Sequence, residues 1–245
     1  MKTLYLIPLF LFASETVAQT RLVKNVPVKS GQQLRVTFDY PELIRVSTWD
    51  GNEISIEGNV SINEGESDAA FVLDVSTSAG VIDIRGRIKD IDDLPKRITV
   101  VKDGKKMVFR NDGEWKKYKQ EHGKSGFDMT NHGIEIDITL DIKVPARMAT
   151  TVVSVYGMVE VKQFNGPLRV EATYGGVDVS LTESATGELK AETNYGHIYS
   201  DLSLELDRDG IREEDFHTVI SAKPGKGHTY SFVSQYGNVY LRKSK

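Results

Sequence analysis

The sequence predicts an all-β protein with a parallel β-solenoid or β-helix-like repeat fold, interrupted by an inserted basic hairpin and a short helix. The main observation is a set of four Tyr-Gly pairs, which begin at Tyr156, Tyr174, Tyr195 and Tyr236. Each pair lies between two short runs in which apolar and polar residues alternate. This pattern is typical of stacked β units that bury an apolar face only against their neighbours.

The apolar positions change parity at each glycine, which predicts a corner there. Small or apolar residues stand two and four places before Tyr156, at Ser154 and Val152, but three and five places after it, at Val159 and Val161. A straight strand cannot change parity, so the chain must bend, and glycine adopts backbone conformations closed to other residues. A similar pattern surrounds Gly80, further upstream. The predicted corners are Gly80, Gly157, Gly175, Gly196 and Gly237.

Parallel stacking of these units, about 4.8 Å apart, would bring Tyr156, Tyr174, Tyr195 and Tyr236 close to one line. One interpretation is a ladder of rings that packs the corners. The other is an aromatic strip that binds a glycan or a partner protein. We favour the packing ladder, because the parity count places the four Tyr on the packed side of each first strand.

Other segments also predict strands. The clearest run extends from Ile134 to Val144, where apolar and polar residues alternate until Pro145 ends the strand. Residues 33–38, 43–48, 71–77 and 81–84 alternate in the same way, and Leu73 and Val75 are expected on one buried face.

The N-terminus predicts a secretory signal. Lys2 precedes an apolar run over Leu4–Ala13, and small residues up to Ala18 form a cleavage site. We divide the chain into a signal peptide (1–18), an N-terminal β-repeat region (19–90), a basic insertion (91–130) and C-terminal strand–Gly–strand repeats (131–245). The mature chain is expected to be exported, either periplasmic or at the cell surface or outside the cell. No transmembrane segment is expected in it.

The insertion is predicted to contain a hairpin over Ile98–Arg110 that turns at Asp103-Gly104, then a short helix over Glu114–Gln120. Residues 96–124 hold ten Lys or Arg against four acids. These cations either contact an anionic polymer or protect a solvated sheet edge from aggregation, and we favour edge protection. The region between Leu202 and Thr218 is acidic and is expected to be a loop with a helical turn.

The repeats resemble a family of exported bacterial β-strand-repeat proteins that are usually described as adhesins. The resemblance rests on Ile138–Pro145, Val155–Val161, Ala172–Val179 and Thr193–Ile198, where a Val-Pro strand end is followed by strand–Gly–strand units. It covers roughly residues 131–245 and, more loosely, 30–90. It implies a β-solenoid fold and an envelope or extracellular location, and it supplies no catalytic residues.

Catalytic patterns are missing from the sequence. The chain has no Cys, no Gly-x-Ser-x-Gly elbow and no phosphate-binding glycine loop. Its five His lack metal-ligand spacing, and the acidic stretch around Asp207 and Asp209 fails the spacing of a calcium loop. Six carboxylates are candidates for paired acid–base catalysis. We expect them instead to be outward solubilising charges without a neighbouring Lys or Arg. They are Glu135, Asp137, Glu160, Glu171, Asp178 and Glu192.

The sequence therefore predicts a non-catalytic exported envelope protein, an adhesin-like β-solenoid that serves as a scaffold or binding surface. No catalytic residue, metal or cofactor is expected. The alternatives are a carbohydrate-active enzyme on a β-helix and an envelope signalling or regulatory module. The partner is expected to be an envelope protein or an anionic glycan, and a net charge of −4 argues against nucleic acid.

Overall fold

Two large β-sheets enclose one hydrophobic core in the computed structural model of this protein, which describes residues 19–123, 125–204 and 210–244. The prediction of an all-β fold is confirmed. The predicted signal peptide, Asp207 and Asp209 lie outside the described residues. No helix in the described parts of the chain is long and apolar enough to cross a membrane.

Sheet A has eight strands. Their spatial order is β1 (Thr20–Pro27), β4 (Glu53–Ile62), β10 (Ile136–Pro145), β3 (Leu43–Trp49), β12 (Met158–Val161), β14 (Val177–Leu181), β20 (Val239–Lys243) and β16 (Ile198–Ser200).

Sheet B has nine strands. Their spatial order is β17 (Ile211–Glu214), β18 (His217–Ala222), β15 (Thr186–Thr193), β19 (His228–Ser234), β13 (Leu168–Ala172), β11 (Thr150–Ser154), β2 (Gln33–Phe38), β6 (Val81–Ile88) and β5 (Phe71–Ser78).

Five two-strand units form the middle of the molecule, and we call them the parallel stack. In each unit the chain runs along a strand of sheet B, turns a corner and returns along a strand of sheet A. The units, in spatial order, are β2–β3, β11–β12, β13–β14, β19–β20 and β15–β16. Neighbouring units pair in parallel and in register.

The order of the stack departs from the order of the chain. The unit that comes last in sequence, β19–β20, inserts between β13–β14 and β15–β16. Both sheets are mixed rather than purely parallel, because antiparallel pairs flank the parallel stack. A loop with a helical turn is predicted between Leu202 and Thr218, but its second half belongs to the antiparallel hairpin β17–β18 at one edge of sheet B.

The core follows the predicted parity. Val152 and Ser154 on β11 and Val159 and Val161 on β12 are all buried. The pattern fails on β5, where Val75 is 38% exposed. β5 is the last strand of sheet B, so its predicted buried face has little to pack against.

The insertion forms a third sheet and a helix, which together we call the inserted unit. The predicted hairpin is present as β7 (Arg97–Lys102) and β8 (Lys105–Phe109), with β9 (Met129–Gly133) on the other side of β7. The predicted helix is α1 (Asp112–His122). Asn111 caps it, since its side chain accepts hydrogen bonds from the N–H groups of the second and third helical residues.

Asn63 joins the inserted unit to sheet A. Its side chain is fully buried, donates to the carbonyl of Pro95 at 2.8 Å and accepts from the N–H of Glu135 at 3.1 Å. These partners lie in the segments that lead into and out of the inserted unit. Glu66 adds ion pairs to Arg97 and Arg110 of the same unit. One buried amide and one carboxylate therefore anchor both ends of the insertion.

Candidate functional site

Six aromatic side chains form a continuous row along the corners between the two sheets, and we call this row the aromatic ridge. In spatial order they are Tyr40, Tyr156, Tyr174, Tyr236, Tyr195 and Phe216. Successive ring centroids are 5.0–5.5 Å apart, and every pair is stacked. Five steps of this size, close to the spacing of β-strands, give a ridge roughly 25 Å long.

The ridge is exposed, contrary to the expectation that its Tyr residues face the packed side. Tyr156, Tyr174, Tyr195 and Tyr236 are 48–58% exposed, and Phe216 is 70% exposed. The parity count fails because the strand of sheet B ends two residues before each of these Tyr. The backbone has therefore begun to turn, and the ring points away from the core.

Glycine is required in the Tyr-Gly pairs by the close approach of stacked units. Gly157, Gly175, Gly237 and Gly196 lie at the corners, but none has a left-handed φ. A Cβ on Gly175 would lie 2.0 Å from the carbonyl oxygen of Gly157, and one on Gly196 would lie 2.0 Å from that of Gly237. Each corner thus packs its backbone directly on the next, which differs from the strained bend that we predicted.

The first unit of the stack confirms this steric reason. There Tyr40 is followed by Pro41 instead of glycine, and a Cβ on Gly157 would meet the Pro41 carbonyl at 2.3 Å. Pro41 tolerates a side chain because it begins the row of stacked corners.

Gly80 has a different place from the other four predicted corners. It lies at φ +81° in the tight turn of the antiparallel hairpin β5–β6, within sheet B, and a Cβ there would meet no atom within 4 Å. The expectation of a corner between sheets at Gly80 is wrong, because the flanking strands pair with each other.

A buried hydroxyl supports three of the corners, and the sequence analysis did not identify it. Ser154 and Ser234 each accept a hydrogen bond from the N–H of the glycine three residues later, at 3.2 and 2.9 Å, and Thr193 does so at 3.1 Å. The same hydroxyls donate to glycine carbonyls at 2.8–2.9 Å. Their signal in the sequence is a Ser or Thr two residues before Tyr, and Ala172 is the exception.

The phenol hydroxyls of the ridge have no hydrogen-bond partner among the described residues. Over residues 19–123, 125–204 and 210–244, the structure gives hydrogen bonds to the hydroxyls of Tyr230 and Tyr240 but to none of the five Tyr in the ridge. The pKa of Tyr40 is raised above its ordinary value. The main cause is partial burial, and the neighbouring Tyr156 and two carboxylates add to it. Tyr40 therefore presents a neutral hydroxyl group at physiological pH.

The carboxylates weighed as acid–base groups are mostly paired with cations, and the expectation that no Lys or Arg stands beside them is wrong. Asp178 receives two hydrogen bonds from Arg242, at 2.7 and 2.8 Å. Glu160 lies 3.7 Å from Arg45 and 3.6 Å from Lys162. The remaining pairs are Glu171 with Arg169, Glu135 with Lys106, and Glu192 with Lys190.

These ion pairs disfavour acid catalysis. Hydrogen bonds from Lys190 and then His217 lower the pKa of Glu192, although partial burial opposes them. A general acid needs the opposite shift, towards neutral pH. For Asp137 the structure gives no ion pair within the described chain. No group of three or more His, Asp or Glu that could hold a metal ion occurs in the described ranges either.

The chain matches no protein-family model and no curated protein. Two solved structures align with 93% of it. One is described as a "putative cell adhesion protein" from Clostridium sporogenes, with 8% identity, a TM-score of 0.43 and 100% of that chain covered. The other is a "putative adhesin" from Bacteroides fragilis, with 11% identity, a TM-score of 0.22 and 99% coverage. Both names agree with the family resemblance of the strand–Gly–strand motifs, but identities and TM-scores this low carry no functional information.

Proposed function

We propose that this protein is an exported, non-catalytic, adhesin-like scaffold and that the aromatic ridge is its binding surface. The observation that carries the proposal is a line of six stacked rings, five of which are exposed. Large aromatic side chains that line up on a surface are enriched at sites of recognition, because they offer contact area at a low cost in side-chain entropy.

The parallel stack supports this role as a solenoid-like scaffold. Each added unit contributes one strand to each sheet and one ring to the ridge. Because neighbouring units are in register, the positions of the rings are fixed by backbone ladders instead of flexible loops. A binding surface built in this way is preorganised, which reduces the entropy lost on binding.

The same proposal includes the division of the chain. Within the described residues, strands from 19–90, 136–204 and 210–244 form the two large sheets, whereas the strands of the inserted unit pair only with one another, in the third sheet. We therefore treat 91–130 as an insertion in one scaffold. Export by residues 1–18, to the periplasm or the cell surface, is part of the proposal and rests on the signal-like sequence.

Adhesion of protein-coated beads to defined surfaces tests the function. Beads that carry the purified protein are applied to surfaces coated with neutral polysaccharide, acidic polysaccharide, mucin or fibronectin. We expect adhesion to at least one of them, and we expect Tyr174→Ser combined with Tyr236→Ser to abolish it. Tyr199→Ser serves as a matched control, because Tyr199 is 49% exposed and lies outside the ridge, against Tyr240.

Two results would contradict the proposed function. One is the absence of adhesion to all four surfaces. The other is adhesion that persists in the double variant while circular dichroism shows an intact fold.

A further inference from the structure

The stacking of the ridge determines which parts of its rings a ligand meets. Tyr156, Tyr174 and Tyr236 each have a near-parallel ring about 5 Å away on both sides, so their faces are covered by other rings. Their exposed fraction of about one half must then come from ring edges and hydroxyl groups. A ligand along the ridge therefore meets a row of phenol hydroxyls, and a free ring face is available only at the ends.

The residues that flank the ridge are uncharged over most of its length. On the side of sheet B, the residues just before each Tyr from the second unit onward are Val155, Thr173, Gln235 and Asn194. On the side of sheet A, the residues just after each Gly are Met158, Gly176, Asn238 and His197. Neither row contains a Lys, Arg, Asp or Glu.

This chemistry disfavours an anionic ligand at the ridge. Binding of carboxylates, sulfates or phosphates requires cationic partners, usually Arg or Lys. The first unit instead places Asp39 next to Tyr40, and a carboxylate there would repel an anion. Hydroxyl and amide groups, in contrast, both donate and accept hydrogen bonds, which suits a ligand rich in hydroxyl groups.

We propose that the aromatic ridge binds an uncharged linear polysaccharide lengthwise, with its phenol hydroxyls and the flanking amides of Gln235 and Asn194 hydrogen-bonded to successive sugars. Phe216, which stacks on Tyr195 and is 70% exposed, offers the free ring face at one end, where a sugar ring packs. This inference rests on the proposed function and adds the class of ligand to it. Lengthwise binding explains why the rings repeat at strand spacing.

Affinity electrophoresis in gels that contain soluble polysaccharide tests the ligand class. The neutral probes are amylose, hydroxyethylcellulose and mannan, and polygalacturonate is the acidic probe. We expect retardation by at least one neutral probe and none by polygalacturonate. Because most of the ridge is flanked by uncharged residues, the retardation should change little with added salt, which screens interactions between charges.

A hydroxyl-deletion variant tests the mode of binding. Tyr156, Tyr174, Tyr236 and Tyr195 are changed together to Phe, which keeps the stacked rings and removes four hydroxyls. We expect affinity for the neutral probe to fall at least about tenfold, because several hydrogen bonds to the ligand are lost. The control, Tyr199→Phe, removes a hydroxyl from a stacked Tyr outside the ridge and should bind as the wild type does.

Affinity should also rise with the length of the neutral oligosaccharide, from a disaccharide to a hexasaccharide, as more rings are engaged. Retardation by polygalacturonate alone, salt-sensitive retardation or unchanged affinity in the four-Phe variant would each overturn the inference. If no neutral probe binds but the beads adhere to fibronectin through the ridge, the inference fails while the proposed function stands.

Discussion

The parallel stack and the inserted unit reach a folded state by different means. The stack buries one continuous core, which runs through residues such as Val36, Val152 and Phe232 on successive strands, and its corners pack backbone on backbone. Among the described residues, the core of the inserted unit has three buried hydrophobic side chains, Ile98, Val100 and Trp115. The difference shows that stability is spread over many repeats in one region and rests on single residues in the other.

Trp115→Ala is expected to have the largest effect, and that effect should stay local. Trp115 is 7% exposed and packs against Phe109, Tyr118 and Phe127. Its truncation should destabilise the inserted unit by about 4 kcal/mol, as expected for a buried Trp. Hydrogen exchange measured by mass spectrometry should show lost protection in residues 97–133, with protection kept in β11–β14.

A matched variant sharpens this test. Tyr199→Ala also removes an aromatic ring, but one that is 49% exposed, and should leave exchange in the inserted unit unchanged. If Trp115→Ala accelerated exchange in both regions equally, the two regions would unfold as one and the comparison would fail.

Gly175→Ala tests the corner of the parallel stack. The added Cβ would meet the backbone carbonyl of Gly157, which cannot rotate away, so neighbouring units must move apart. We expect a loss of about 3 kcal/mol in the free energy of unfolding, measured by urea denaturation. Gly80→Ala is the control. That site has open space but φ of +81°, so strain alone should cost only about 1 kcal/mol. Equal losses in the two variants would argue against steric packing at the corner.

The sequence was sufficient to predict the all-β class, the parity change, and the hairpin and helix of the inserted unit, but not its strand β9. These features depend on local patterns: alternation at Val152 and Val159, and a turn at Asp103-Gly104 followed by a polar helix. Local patterns could not predict the spatial order of the two-strand units in the stack. β19–β20 pairs between β13–β14 and β15–β16, and the units are too alike for alternation alone to choose among neighbours.

The candidate site was predicted in part. The four Tyr were aligned correctly from their period, but Tyr40 and Phe216 lack the Tyr-Gly motif and join the ridge only through tertiary placement. The exposure of the ridge was predicted wrongly, because parity describes residues within a strand and fails at the bend that follows it. Arg45 beside Glu160 and Arg242 beside Asp178 come from distant strands, so no local pattern could indicate these two pairs.

Ser234→Ala tests whether the buried hydroxyls stabilise the corners. The change leaves the N–H of Gly237 and the carbonyl of Gly175 without their hydrogen bonds from this side chain. We expect a loss of about 2 kcal/mol in the free energy of unfolding, the usual cost of buried polar groups left unsatisfied. Ser221→Ala, at an exposed position of β18, is the control and should change little. If Ser234→Ala lost no more stability than the control, the corner would be held by glycine packing alone.

The smallest expected effect concerns charges on the outer face of the stack. Hydrogen bonds from Lys190 and His217 lower the pKa of Glu192 below its ordinary value of 4.5. A lowered folded-state pKa gives stability that is present above that ordinary value and is lost as the pH falls through the lowered pKa. Glu192→Gln should therefore cost about 0.5 kcal/mol at neutral pH, a small value because solvent screens the pair, and this cost should disappear as the pH falls through the lowered pKa.

Thermal melting of the wild type and the Glu192→Gln variant at several pH values measures this difference. Glu213→Gln removes an exposed carboxylate on β17 and should show no such pH dependence. A cost for Glu192→Gln as large as that of Gly175→Ala would mean that surface charge, and not the core and its corners, holds the parallel stack together. The parallel stack would then resemble the inserted unit, which Glu66 already holds through two ion pairs, and the contrast between the two regions would be lost.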